Sequence, residues 1–476
     1  MLQVLCQDGN GRIPPMTPDV IVLGGGLAGS EAAWQAAERG LQVQLWEMRP
    51  SRTTGAHQTD RLAELVCSNS LGSRLPDRAS GILLGELRQL SSLLIACAEA
   101  TTVPAGGALA VERGAFSELV TRRIEAHPRI SVVRQEAHVL PERGVVVCAT
   151  GPLTSPDLSL ALARLSGEEH LYFFDAIAPI IQADSVDWSI AYRASRYGRG
   201  ETDEGDYVNC PLEREAYEAF VDALLAAERI PLREFEKDIQ GGVRAGLGEF
   251  FEGCLPIETL AGRGRMSLAF GPMRPVGLRD PRTGKRPFAV LQLRQEDRAG
   301  SLLNLVGFQT NLTYAEQRRV LRLIPGLEQA RFARFGQMHR NTFLNAPRVL
   351  DPTLQHRRSA SLFVAGQLTG VEGYLGNIAT GLLAGWNAAR LVREVSAVVP
   401  PPETMLGALL RYVSEARAET FQPMKANLGI LPPLDAVPRG RAARAGAQAV
   451  RAGEALAAWR SAMPDTMRIA TTAPSL

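Results

Sequence analysis

Two cysteines stand where a side chain could do covalent chemistry. Cys254 lies in "EFFEGCLPIE" (249–258), after a glycine and before Leu255-Pro256, on a segment whose composition predicts a turn. No second cysteine or histidine stands near enough to make it a metal clip, and no metal site is expected. Cys67 lies in "AELVCSNSL", where apolar sequence gives way to Ser68, Asn69 and Ser70. A thiol on a turn among polar neighbours can reach a substrate, and a lowered pKa makes it nucleophilic. A buried thiol is usually inert. That bland reading fits Cys97, in an apolar helix, and Cys148, in an apolar strand; Cys210 is harder to place. With Cys6 these make six scattered cysteines and no CxxC pair, so a reducing cytosol is the simpler setting.

Glycines form the second chemical pattern. Gly24, Gly26 and Gly29 fit G-x-G-x-x-G within "VIVLGGGLAGSEAAW", between a short apolar strand and a helix running from Ala28 to Arg39. The first glycine permits the tight turn, the second lets the backbone approach a pyrophosphate, and the third lets helix pack on strand. Gly25, Leu27 and Ala28 complete the turn, and the helix start offers free N–H groups to phosphate. "QVQLWE" reads as the next strand and ends in Glu47, 18 residues after Gly29, where an acid would grip ribose hydroxyls. A second glycine turn, "FVAGQLTGVEG", carries Gly366, Gln367, Gly370 and Gly373 ahead of another helix. A nicotinamide enzyme has no obvious need of it. A long FAD does, because its ribityl and flavin end need a second backbone approach. "VVVCATG" adds a strand-end turn at Gly151. The pattern therefore favours FAD over NAD. The bland alternatives are a packing glycine at the first turn and a plain strand–helix pair at the second.

The elements that must position these residues follow an α/β texture. The chain has 476 residues, 45% hydrophobic and 21% charged, with a formal net charge of +2, so composition alone makes no claim about nucleic acid. Residues 1–18 read as a loose leader without the build of a secretory signal, and no apolar run approaches the roughly 18 residues of a membrane span. Residues 79–98 and 114–126 read as amphipathic helices. From about 186 the texture changes, with helical sequence at 213–228; strand, glycine turn and a small-residue helix return near 361–391. The expected fold is a Rossmann-like FAD-binding domain of the two-dinucleotide-fold type, interrupted by an α/β insertion. Its expected bounds are 19–185 and 331–435 for the discontinuous domain, 186–330 for the insertion, and 436–476 for a C-terminal surface helix and tail.

Between Arg263 and Arg298 nine Lys or Arg residues, among them Arg274, Arg282, Lys285 and Arg286, face only Asp280, Glu296 and Asp297. Such a stretch suits phosphate contact, though a solvated loop would look the same.

The chain resembles the TrmFO family of folate- and FAD-dependent tRNA (uracil-5-)-methyltransferases. The resemblance rests on "GGGLAGSEAAWQAAERG", "WEMRP", "HQTDRLAELVCSNSL", "FFEGCLPIE", "GKRPFAVLQLRQED", "MHRNTFLN", "AGQLTGVEGY" and "FQPMKANLGILPP", spread over about residues 20–433. It implies methylenetetrahydrofolate as carbon donor, and reduced FAD, regenerated by NAD(P)H, as reductant. The implied substrate is the T-loop uridine of tRNA, in the cytoplasm, with no membrane and no stable protein partner. By motif, Cys254 attacks C6 of uracil and Cys67 removes the C5 proton. Tyr374, in "VEGY", could stack near the flavin; a core aromatic would look the same.

"QGGVRAGLGE" (240–249) reads as extra sequence, and "GNIATG" stands where a more acidic pair is expected. Residues 1–18 and 440–476 match nothing in the family. Four other readings remain open: the wobble-uridine flavin enzyme type, a ribosomal RNA paralogue, a flavin-dependent small-molecule dehydrogenase, and a non-catalytic FAD-binding RNA scaffold.

Overall fold

In the computed structural model the described residues are 18–54, 56–167, 171–198, 200–230 and 255–463. Cys254, the 240–249 stretch, residues 1–17 and residues 464–476 lie outside them.

Short runs rich in valine become the centre of a parallel sheet, because a strand covered on both faces has no polar side. Its order is Gln355–His356, Ser359–Val364, Val145–Cys148, Val20–Leu23, Val43–Trp46 and Ile130–Val133. All pairings are parallel except the edge hairpin of the first two strands. Val145 to Cys148 is buried throughout. The helix after the first glycine turn, Leu27–Glu38, buries every residue from Leu27 to Ala37. It is pressed against the 19-residue helix Tyr374–Val392. Small residues make that contact possible: a Cβ on Gly381 would stand 2.2 Å from the Ala28 carbonyl, and one on Gly385 2.4 Å from that of Ala32.

Where a single helix is expected over 79–98, the chain makes two, Ala79–Gln89 and Leu93–Ala100. Ser91 takes a positive φ of 58° and Ser92 caps the second helix. The break is fixed from outside by Glu31, whose buried carboxylate accepts from the Ser92 hydroxyl (2.8 Å) and the Leu94 N–H (3.0 Å). Glu86 does the same for the helix Met405–Glu415, accepting from Met405 and Leu406 N–H at 2.6 and 2.9 Å. Burial pushes Glu86 up to about 7 despite those two bonds.

A second sheet is antiparallel: Tyr192–Ala194, Tyr207–Leu212, Ala289–Gln295, Leu302–Leu305, Ile180–Gln182 and Phe332–Arg334. The helix Arg214–Leu225 covers it with Tyr217, Phe220, Val221 and Leu224. The chain passes between the sheets along a two-stranded antiparallel ribbon, Leu171–Ala176 against Met338–Phe343. A small three-stranded sheet, Ser70–Ser73, Ala108–Val111 and Thr102–Val103, begins just after Cys67. The helix Arg441–Ser461 lies on the surface but buries Ala445, Ala452 and Leu456, and stacks Trp459 on Trp386 at 6.0 Å. Among the described residues no single helix is long and apolar enough to cross a membrane.

Candidate active site

Both glycine turns and the turn at Gly151 open on one cleft, which holds about 1050 Å³ of empty space. Gly24, Gly25, Gly26, Leu27, Ala28, Glu47, Gly151, Gly366, Gln367 and Tyr374 all line it. Gly29 and Gly373 do not, and their positions explain why. A Cβ on Gly29 would meet the Gly24 carbonyl at 1.8 Å, so Gly29 serves helix–strand packing. Gly373 takes φ +84° and precedes the helix that Tyr374 opens. Gly24, at φ +99°, leaves no room for a side chain against Ala149 and Thr150. A Cβ on Gly26 would instead meet no atom within 4 Å, so what that glycine keeps clear is cleft. No side chain caps either helix that starts at the cleft. Two uncapped helix starts, a glycine facing open space and a long groove fit a dinucleotide with a pyrophosphate.

An orphaned polar atom supports the same fit. Asn377 lines the cleft, and its Oδ1 is buried without a hydrogen-bond partner among the described residues. It is an acceptor placed for a donor on the bound group, such as a hydroxyl. Asn377 is absent from the residues expected above. The "GNIATG" departure drew attention to its segment without indicating which atom would be left over.

Glu47 stands one residue beyond the strand Val43–Trp46, where it was expected to end it, and is 5% exposed. Both its oxygens are already engaged. Oε2 accepts from Gly25 N–H (3.0 Å) and Arg49 Nη2 (3.1 Å), and Oε1 from Arg49 Nε (2.8 Å) and N (3.0 Å). Burial alone would push this carboxyl up; the hydrogen bonds and charge of Arg49 override it and hold the group below the usual carboxylate range. Arg49 also reaches Glu64 at 3.1 Å. The acid thus fixes the glycine turn directly, and sequence gave no sign of Arg49 beyond its place in "WEMRP".

Cys67 is half-buried. It is joined to the cleft through Tyr374, whose hydroxyl oxygen accepts from the backbone N–H of Cys67 (2.9 Å) and of Ser68 (3.1 Å). Burial, and then the Cys67 sulfur, push the phenol well above its ordinary value, so it stays neutral. On its other side the Cys67 turn is gripped by arginines. Arg113 donates to the carbonyls of Leu65 (2.7 Å) and Cys67 (2.8 Å) and forks onto Glu296 at 2.6 and 3.2 Å. Arg294 donates to Ser68 Oγ and Asn69 Oδ1, both at 2.7 Å. Asn69 in turn donates to the carbonyls of Val111 and Gln295. The turn therefore sits where the second sheet meets the small three-stranded one. Arg113, Arg294 and Glu296 were not foreseen as site residues. The other described thiols are buried, and burial pushes Cys97 up to about 12, Cys148 to about 11 and Cys210 to about 12.

Cys254 lies outside the described residues. Leu255 follows it, and Ile257 N–H donates to the Gln309 carbonyl at 2.7 Å. Glu258 accepts from Thr310 Oγ1 (2.9 Å) and Asn311 N–H (2.8 Å).

Of the four expected RNA contacts, Arg274, Lys285 and Arg286 are exposed. Arg282 is exposed too but pairs with Asp280 at 2.6 Å. That bond holds Asp280 below the usual carboxylate range, so the positive charge of Arg282 is largely compensated within the loop.

The chain matches the family described as Glucose inhibited division protein A over residues 19–396. A curated relative from Moorella thermoacetica, named methylenetetrahydrofolate--tRNA-(uracil-5-)-methyltransferase TrmFO, is 54% identical over 446 residues, covering 94% of this chain and 98% of that one. A relative of the same name from Geobacter sulfurreducens is 56% identical over 420 residues, covering 88% and 94%. The crystal structure of Aquifex aeolicus GidA (form I) superposes with a TM-score of 0.64 at 16% identity, over 95% of this chain and 77% of that one; this is a likeness of fold.

Proposed function

The chain belongs to the TrmFO family of methylenetetrahydrofolate--tRNA-(uracil-5-)-methyltransferases, within the wider Glucose inhibited division protein A fold, and from that premise we propose which of its residues carry the reaction. Methylenetetrahydrofolate gives the one-carbon unit, uracil C5 in tRNA receives it, and FAD is the cofactor. We read the target as the T-loop uridine, the source of electrons as NAD(P)H, and the setting as the cytoplasm.

Gly24, Gly25, Gly26, Leu27 and Ala28 cradle the pyrophosphate, Glu47 fixes their turn, and Gly151, Gly366, Gln367 and Gly373 shape the far end. Asn377 Oδ1 accepts from the bound group. Bound there, FAD supplies the hydride-level reduction that turns the transferred carbon into a methyl.

The remaining steps belong to the protein and its substrates. Uracil C5 is a poor nucleophile. The Cys254 thiolate adds at C6, the electron pair of the C5–C6 double bond moves toward C5 and O4, and C5 bonds to the methylene carbon. Cys67 removes the C5 proton as the bond from the methylene carbon to the tetrahydrofolate nitrogen breaks, leaving an exocyclic methylene on C5; hydride addition to that carbon re-forms the C5–C6 double bond and expels the Cys254 thiolate. Tyr374 holds the Cys67 backbone in place. The observation that carries this reading is the pair of N–H groups of Cys67 and Ser68 on the Tyr374 hydroxyl, a bond from a thiol-bearing turn to a cleft-lining side chain.

Domain bounds of 19–185 with 331–435, and 186–330 for the insertion, complete the proposal. The strands Ile180–Gln182 and Phe332–Arg334 lie just outside the insertion bounds, yet both pair in the second sheet. Arg274, Lys285 and Arg286 face RNA phosphates, with Arg282 ordering their loop.

The test is incubation of purified protein with unmodified tRNA, labelled methylenetetrahydrofolate and NADPH. Label is expected in ribothymidine of the T-loop, lost on Cys254→Ala while the flavin stays bound. Label appearing in ribosomal RNA instead moves the target to that substrate. NADPH oxidation without labelled RNA points to a dehydrogenase.

A further inference from the structure

Two guanidiniums grip the Cys67 turn, and a third lies within its electrostatic reach. Arg113 is clamped by Glu296 and two carbonyls, and Arg294 by Ser68 and Asn69. Arg334 is different. It is half-buried, and no hydrogen bond or ion pair joins its guanidinium to another described residue. The surrounding field comes from Arg113, Tyr374, Cys67 and Glu296. Burial first, and then the like charge of Arg113, hold its pKa below the ordinary arginine value. The one carboxylate in that group, Glu296, already forks onto Arg113.

Its strand explains its aim. Phe332–Arg334 is the edge of the second sheet, and its register against the neighbouring strand slips: Phe332 pairs with Ile181 and Arg334 with Ile180. Such a bulge turns a side chain out of the alternation of its strand. Phe332 packs against the second core and stacks on Phe335 at 5.0 Å, whereas Arg334 falls within the field of the Cys67 turn. A partly desolvated cation that no carboxylate among the described residues pairs is costly, and such cost is sustained where an anion arrives from outside.

We propose that Arg334 is the seat for an oxyanion carried by a substrate, either a phosphodiester of the RNA beside the target uridine or a carboxylate of the folate glutamyl tail. The planar fork of a guanidinium matches both groups. An anion held there fixes one substrate relative to the Cys67 thiol. This inference rests on the reading of Cys67 as facing the substrates.

Arg334→Gln and Arg334→Lys in the full-length, FAD-loaded protein test it. Because the guanidinium makes no bond to described protein groups, both variants are expected to melt at or above the wild-type temperature with flavin content unchanged. If the seat takes phosphate, the slope of log affinity for tRNA against log salt falls by about 0.7–0.9 in Arg334→Gln. Affinity then drops about tenfold, with the KM for methylenetetrahydrofolate unchanged. If it takes the folate carboxylate, that KM rises about tenfold and the salt slope stays. Arg334→Lys, which keeps a point charge, should fall between. Should Arg334→Gln fail to fold, or melt several degrees lower with both affinities intact, the arginine is structural and the inference is overturned. Unchanged affinities for both substrates overturn it equally. Wild-type protein that labels no tRNA would strike the proposed function instead, so the two failures are distinguishable.

Discussion

The cofactor cleft and the Cys67 seam are built by opposite means. The cleft depends on side chains that are not there: Gly24 and Gly29 have no room for a Cβ, and Gly26 keeps space clear for the bound group. The seam depends on long side chains reaching in from afar, with Tyr374, Arg113 and Arg294 all gripping one turn. A site made by omission is local in sequence and tolerates no additions. A site made by pairing is dispersed and tolerates no deletions.

Gly29→Val should show the largest effect. Its side chain would start 1.8 Å from the Gly24 carbonyl, so helix and strand must part. We expect colourless protein and a loss of about 4 kcal/mol or more, read by flavin content and urea unfolding. Full flavin occupancy would mean that the cleft is less strictly shaped than the geometry says.

Glu296→Gln should come next, because it leaves Arg113 as a buried cation without its carboxylate. Breaking such a pair costs about 3–5 kcal/mol. Methyl transfer should fall with it while FAD stays bound. Loss of FAD would mean that cleft and seam are not separable.

Tyr374→Phe removes the oxygen that accepts two backbone N–H groups but keeps the ring. Leaving them unpaired costs about 1–3 kcal/mol. Activity should drop about 10- to 100-fold. Removal of an acceptor, rather than a proton carrier, should leave the pH profile unchanged in shape. A shift in that profile would assign Tyr374 a proton-transfer role.

The smallest effect concerns acid. The folded pKa of Glu47 lies below its unfolded value, near 4.3. The stabilisation it brings is therefore complete above that value and is lost as pH falls through the lower, folded one. The gap in unfolding free energy between wild type and Glu47→Gln should be constant near neutrality and narrow below about pH 4.

This contrast also explains what could be read from the chain itself. The first glycine turn, its strand and its helix are neighbours in sequence, and their steric logic needs no partner from elsewhere. The second turn announces itself the same way. The Tyr374–Cys67 link spans 307 positions, and Arg294 reaches Ser68 across 226. No periodicity or spacing reports such pairings; for Cys67 and Tyr374, family resemblance supplied the expectation. Asn377 was hidden for a related reason: only the packed cleft shows which amide oxygen lacks a donor. The split of the 79–98 helix was invisible because the carboxylate that fixes it, Glu31, sits on another helix. In the basic stretch the count of charges was plain, but the pairing of Arg282 with Asp280 needs the loop closed.

The close approach of Gly381 and Gly385 to Ala28 and Ala32 has a consequence in time. Synthesis makes the first glycine turn early, yet the helix that completes its pocket comes more than 340 residues later. At the ribosome's pace of about 5–20 residues per second, the nascent chain waits tens of seconds with that apolar surface uncovered. Flavin capture is thus a late event in biogenesis, and chains stalled before residue 359 would leave the ribosome as candidates for chaperones rather than as yellow intermediates.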